Sequence, residues 1–119
     1  MKRSAKKRWG QHFLADTNLL KKLVELISPT SDDSILEIGP GGGALTELLA
    51  PIVKELVGIE IDRELYGDLK ERKDLTNCQF INRDFLKVDL RKIPFRTGQV
   101  RVVGNLPYNI TSPILFKLT

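Results

Sequence analysis

The 119-residue sequence predicts an α/β fold with a parallel sheet, wound in a Rossmann-like manner. Three observations lead there. Short apolar runs alternate with segments whose apolar residues recur at helical spacing. The runs are apolar nearly throughout, as expected of strands covered on both sheet faces. Clusters of Gly, Asp, Glu and Asn follow the ends of these runs, where ligands sit in open parallel sheets.

Each element follows from local signals. Leu19, Leu20, Leu23, Val24 and Ile27 recur at helical spacing after the polar Asp16-Thr17-Asn18 and before Ser28-Pro29, which predicts an amphipathic helix with a capped start and a Pro-marked end. Thr30 to Asp33 reads as a polar turn, and Ser34 to Ile38 as a buried strand running into glycines. Ala44 to Ala50 is expected to be helical, ended or kinked by Pro51. Leu56 to Ile61 is the second strand, and Asp62 can cap a helix that carries Leu65 and Leu69 on one face. Gln79 to Ile81 gives a third strand ending at Asn82-Arg83-Asp84, and Val100 to Val103 a fourth ending at Gly104-Asn105. From Thr111 onward another helix is expected to begin, with Pro113 tolerated in its first turn.

Composition narrows the function classes. With 41% apolar and 29% charged residues the chain suits a globular domain, and no run approaches the roughly 18 apolar residues of a membrane span. No long apolar stretch follows the basic start, so residues 1–15 do not read as a secretory signal. Cys78 is the only cysteine and His12 the only histidine. No internal disulfide and no standard structural zinc site can be assembled from them, and a reducing compartment, the cytoplasm, fits. Charge is unevenly placed. Lys2, Arg3, Lys6, Lys7 and Arg8 precede any acid, and the chain beyond them is close to neutral. Such an arm attracts phosphate backbones without sequence choice. It could also be a solvated tail, and a mitochondrial presequence stays open.

The chemistry clusters at three strand ends. In Glu37-Ile38-Gly39-Pro40-Gly41-Gly42-Gly43-Ala44, Gly39 and Gly41 let the backbone turn tightly and approach a ligand. Glu60, 21 residues after Gly39, can accept hydrogen bonds from both hydroxyls of a ribose. Gly39, Gly41 and Ala44 also satisfy a loose dinucleotide pattern, so a nicotinamide oxidoreductase remains open at this point. Asp84 could accept from an adenine's exocyclic amine, or be an ordinary capping residue. Asn105-Leu106-Pro107-Tyr108 points away from hydride chemistry. An adenine N6 is a poor nucleophile because its lone pair is delocalised, and acceptors gripping its N–H bonds favour the tetrahedral geometry of attack. The Asn105 side-chain oxygen and a carbonyl at Leu106 or Pro107 can serve, and Tyr108 can stack on an extruded base. Orientation and desolvated electrostatics would supply most of the catalysis, with no metal required.

These segments together resemble the ribosomal RNA adenine N6,N6-dimethyltransferase family. The likeness runs from Gly10-Gln11-His12-Phe13-Leu14 through Glu37 to Gly41, Glu60-Ile61-Asp62 and Asp84 to Asn105-Leu106-Pro107-Tyr108-Asn109. It implies a Rossmann-like fold that binds S-adenosyl-L-methionine and dimethylates adenine N6 in ribosomal RNA, with a role in ribosome biogenesis. It also implies site roles. Gln11, His12 and Leu14 close over the cofactor; Gly39 approaches its methionine part, Glu60 takes the ribose and Asp84 the adenine; Gly41, Ile61 and Phe85 also belong to the cofactor site; Asn105 lies between cofactor and target. His12 stands where many members carry Asn, a mild departure because both hydrogen-bond. Gly10, Pro40 and Leu106 resemble the branch that modifies two adjacent adenines near the 3′ end of small-subunit rRNA. The alternatives are the large-subunit, macrolide-resistance branch and a non-catalytic ribosome assembly factor that binds RNA.

The organisation expected is a basic arm with the cofactor-closing motif over 1–15 and a partial methyltransferase domain over 16–119. Family enzymes are more than twice this length. The chain therefore reads as a fragment of about four strands that stops inside a helix, leaves Val100 to Val103 with an open edge and awaits a C-terminal remainder for full activity. Weak cofactor binding or none, and little or no methyl transfer, are expected of it alone.

Overall fold

The computed structural model describes residues 17–93, 95 and 100–104, and residues 116–118 as backbone. Helix α1 (Thr17–Ile27) turns Leu20, Leu23 and Ile27 inward and ends where Ser28 takes a left-handed φ of 47° ahead of Pro29. Strand β1 (Ser34–Ile38) leads through the glycine turn to helix α2 (Ala44–Leu49) and strand β2 (Glu55–Ile59). Helix α3 (Arg63–Lys70) starts at Asp62, whose Oδ1 accepts the Leu65 amide at 2.9 Å, and buries Leu65 and Leu69. Strand β3 (Cys78–Ile81), two 3-10 turns (Phe85–Lys87 and Leu90–Lys92), strand β4 (Val100–Gly104) and strand β5 (Phe116–Leu118) complete the described chain.

The sheet order is β3-β2-β1-β4-β5. The first four strands are parallel, as the α/β reading requires, and β1 sits between β2 and β4. Successive residues of β1 point to opposite faces. Ile35 joins Leu20, Leu23, Ile27, Leu45, Leu49, Leu56 and Val103 beneath α1 and α2. Leu36 joins Val57, Ile59, Val100 and Val102 on the other face, under Ile93 and the half-buried Phe85 and Val88. Both faces are covered, so the strands are apolar nearly throughout. Among the described residues no helix is long and apolar enough to cross a membrane.

One expectation is corrected. Phe116–Leu118 do not continue a helix; they pair antiparallel with β4, Val100 opposite Leu118 and Val102 opposite Phe116. The edge of β4 is thereby paired rather than open. A bare strand edge carries unpaired N–H and C=O groups that favour any extended segment able to bond them. A short apolar stretch cannot be assigned to helix or strand by its periodicity.

Candidate functional site

The carboxyl ends of β1, β2 and β3 lie side by side, and the loops leaving them are tied together by hydrogen bonds that the chain order alone does not suggest. The glycine loop is the first. Gly39, Gly41 and Gly43 all have positive φ, at 68°, 60° and 87°, a region costly for residues with a Cβ. The Gly39 amide donates to the Ile59 carbonyl at 2.8 Å, extending the ladder one residue past β1. The turn closes as the Gly43 amide donates to the Pro40 carbonyl at 2.9 Å, and Gly43 caps α2 with no side-chain help. Among the described residues, a Cβ built on Gly39 would meet nothing within 4 Å, which leaves room for a ligand to approach that backbone.

Glu60 is the brace. It is 5% exposed, and its carboxylate accepts the Gly41 amide at 2.8 Å through Oε1 and the Asp62 amide at 3.0 Å through Oε2. One side chain thus holds the glycine loop against the start of α3. Each carboxylate oxygen has a second lone pair, so two acceptor positions remain in principle for a diol. Asn82 completes the tie to β3, its Nδ2 donating to the carbonyls of Glu60 at 2.9 Å and Ile61 at 3.2 Å.

Asp84 follows β3 and its Oδ1 accepts the Leu86 amide at 3.0 Å, capping the first 3-10 turn. The capping role weighed from sequence is therefore real, and it orients the carboxylate at the same edge. Ile61 and Leu86, 66% and 88% exposed, add apolar surface at this edge, whereas Phe85 packs inward on the second core. Gln11, His12, Leu14, Asn105, Leu106, Pro107 and Tyr108 lie outside the described residues.

Three contributors were missed by sequence reasoning. Glu37 is fully buried on β1, and its Oε1 accepts the Thr46 hydroxyl of α2 at 2.6 Å. Burial pushes its carboxyl up to about 7; the Thr46 hydrogen bond opposes the shift and the nearby Glu60 charge adds to it. The pair links the two ends of the glycine loop. Gly58 lies opposite Glu37 in the sheet, and a Cβ there would stand 2.8 Å from Phe80 Cδ1 and 3.0 Å from Pro40 Cγ. Its missing side chain is what lets Pro40 seat on β2. A glycine inside an apolar strand is the signal that could have found it. Asn82, the third, had no local signal beyond its place at a strand end. Cys78, by contrast, is no nucleophile, since burial pushes its thiol up to about 11.

The order of the parallel strands and the loops at their carboxyl ends define a Rossmann-like α/β domain. A dimethyladenosine transferase from Plasmodium falciparum shares this fold, with a TM-score of 0.60 at 23% identity, over 76% of this chain and 42% of that one. The 23S rRNA methyltransferase ErmE does so with a TM-score of 0.60 at 24% identity, over 76% and 47%. The family model described as ribosomal RNA adenine dimethylase matches residues 2–119, and the chain belongs to that family. Ribosomal RNA small subunit methyltransferase A of Leptothrix cholodnii is 48% identical over 99% of this chain, and that of Caldanaerobacter subterraneus 48% identical over 96%. The chain spans less than half the length of these curated relatives, 43% and 44% respectively.

Proposed function

We propose that this chain forms the S-adenosylmethionine-binding part of an enzyme that dimethylates adenine N6 in ribosomal RNA, on the small subunit. The observation that carries the reading is the Glu60 carboxylate, bonded at once to the amides of Gly41 and Asp62. It sets an acid with acceptor positions to spare beside a glycine loop whose backbone is open at Gly39. That combination fits a ligand with a ribose diol and a charged amino-acid tail. Small-subunit enzymes of this name are the relatives reported above, which supports the substrate class.

In this reading Gly39 and Gly41 admit the methionine part, Glu60 with Ile61 orients the ribose, and Asp84 receives the adenine amine. The bound cofactor supplies a sulfonium methyl group. The Asn105 side-chain oxygen and the carbonyl of Leu106 or Pro107 hold the two N–H bonds of the target amine, and Tyr108 stacks on its base. Gln11, His12 and Leu14 of the 1–15 arm cover the site and exclude water, while residues 16–119 supply the sheet. A C-terminal remainder completes the enzyme.

Calorimetric titration with S-adenosylmethionine, with NAD alongside, tests the assignment. Saturable binding of S-adenosylmethionine alone is expected. Glu60→Ala removes two charge-assisted acceptors and should weaken it by a factor on the order of 10 or more. Glu60→Gln, which keeps one acceptor, should fall between. Binding of NAD in place of S-adenosylmethionine, or full affinity in Glu60→Ala, overturns the reading.

A further inference from the structure

Beyond the last residues of β3 the chain forms a cleft of about 440 Å³ between the two 3-10 turns. Its floor is apolar, from Ile81, Val88 and Ile93, and its rim carries Arg83, Lys87 and Lys92. All three cations are exposed, and no carboxylate pairs with any of them among the described residues. The one acid lining the cleft, Asp89, is neutralised locally: its Oδ1 lies 3.1 Å from Arg91 Nε, and Arg91 holds its carboxyl below the usual range. Two arginines elsewhere in the domain are instead held by acids. Arg72 is taken by Glu47 and Asp74, and Arg101 by Asp33.

The chain beyond the basic arm is nearly neutral as a whole, but its basic residues gather after β3, where Arg83, Lys87, Arg91, Lys92, Arg96 and Arg101 face only Asp84 and Asp89 along the sequence. Arg83 and Lys87 flank the first turn and Lys92 ends the second, and the turns bring the three to one opening. Arg83 is also the immediate neighbour of Asp84, so the opening borders the edge that holds the candidate cofactor site.

We propose that this cleft is a binding site for RNA backbone phosphates, separate from the N-terminal arm and contributing affinity without base choice. The proposal rests on the reading of an RNA substrate. Three cations with no carboxylate partner among the described residues, set at a concave opening, concentrate positive potential there. Phosphate contacts of this kind set the register of a strand on the protein while other residues read the base.

The test is fluorescence anisotropy of the chain with a short labelled single-stranded RNA across a salt series. Each phosphate contact on a single strand contributes about 0.7 to the slope of log affinity against log salt. Replacing Arg83, Lys87 and Lys92 together by Gln should lower that slope by about 2 and weaken binding on the order of 10²-fold at about 0.1 M salt. Replacing Lys21, Lys22 and Lys54, exposed cations of α1 and the turn before β2, should leave the slope unchanged. Both variants should melt as the parent does and keep its S-adenosylmethionine affinity. An unchanged slope in the cleft variant, or an equal fall in both variants, overturns the cleft. A parent chain that binds S-adenosylmethionine but no RNA overturns the cleft and leaves the cofactor reading standing.

Discussion

Glu37 makes the stability of this domain depend on pH in an unusual direction. Its carboxyl is fully buried between β1 and α2, with a single short hydrogen bond from Thr46, and burial pushes it from an ordinary 4.5 to about 7. The unfolded chain therefore releases this proton at lower pH than the folded chain does. Between about 4.5 and 7 the native state binds more protons, so stability falls as pH rises through that window. With each unit worth about 1.4 kcal/mol, the loss between pH 5 and 8 is roughly 2–3 kcal/mol. Glu37→Gln keeps the carbonyl that accepts from Thr46 and cannot ionise. The buried NH₂ it introduces, left without an acceptor, costs about 1–3 kcal/mol, but that offset is the same at every pH. Urea unfolding of both proteins from pH 5 to 8 isolates the titration as a difference of differences. The parent is expected to lose roughly 2–3 kcal/mol more than the variant over this range. Parallel stability profiles would refute the reasoning and show Glu37 ionised in the folded chain throughout.

Two further substitutions test how the site is held. Gly58→Ala places a methyl 2.8 Å from Phe80 and 3.0 Å from Pro40, so overpacking should cost about 1–3 kcal/mol and, by displacing Pro40, lower S-adenosylmethionine affinity as well; a thermal melt unchanged from the parent would contradict the close seat. Arg101 joins Asp33 at 2.9 Å and the carbonyls of Ile27 and Ser28 at the end of α1. Arg101→Ala should destabilise by about 1–3 kcal/mol in urea, and Arg101→Lys should recover only part, because a point charge cannot span those acceptors as a planar fork does. Full recovery by Lys would assign the effect to charge alone.

Local order along the chain was enough to place most elements. Ser34–Ile38 and the helix capped by Asp62 were expected where they lie, because a buried strand and a capped amphipathic helix are written in neighbouring residues. Glycines followed by an acid 21 residues on marked the candidate site for the same reason, as each lies at the end of a run that the sequence delimits. Asp84 was ambiguous, and the structure shows a cap at the expected edge. The sequence determined the first four strands, the helices over Thr17–Lys70 and which polar loops lie at the carboxyl ends of the strands.

Tertiary structure decided the partners. Glu37 finds Thr46, Gly58 finds Pro40 and Phe80, Asn82 finds the carbonyls of Glu60 and Ile61, and Arg101 finds Asp33 across 68 residues. The pairing of Phe116–Leu118 with β4 belongs here too, since a three-residue run has no period of its own to choose between helix and strand. Period and capping are properties of a few consecutive residues, whereas these contacts depend on where parallel strands are laid side by side. Crossovers between such strands set that placement through shared burial, and the residues that meet carry no mark of each other in the sequence.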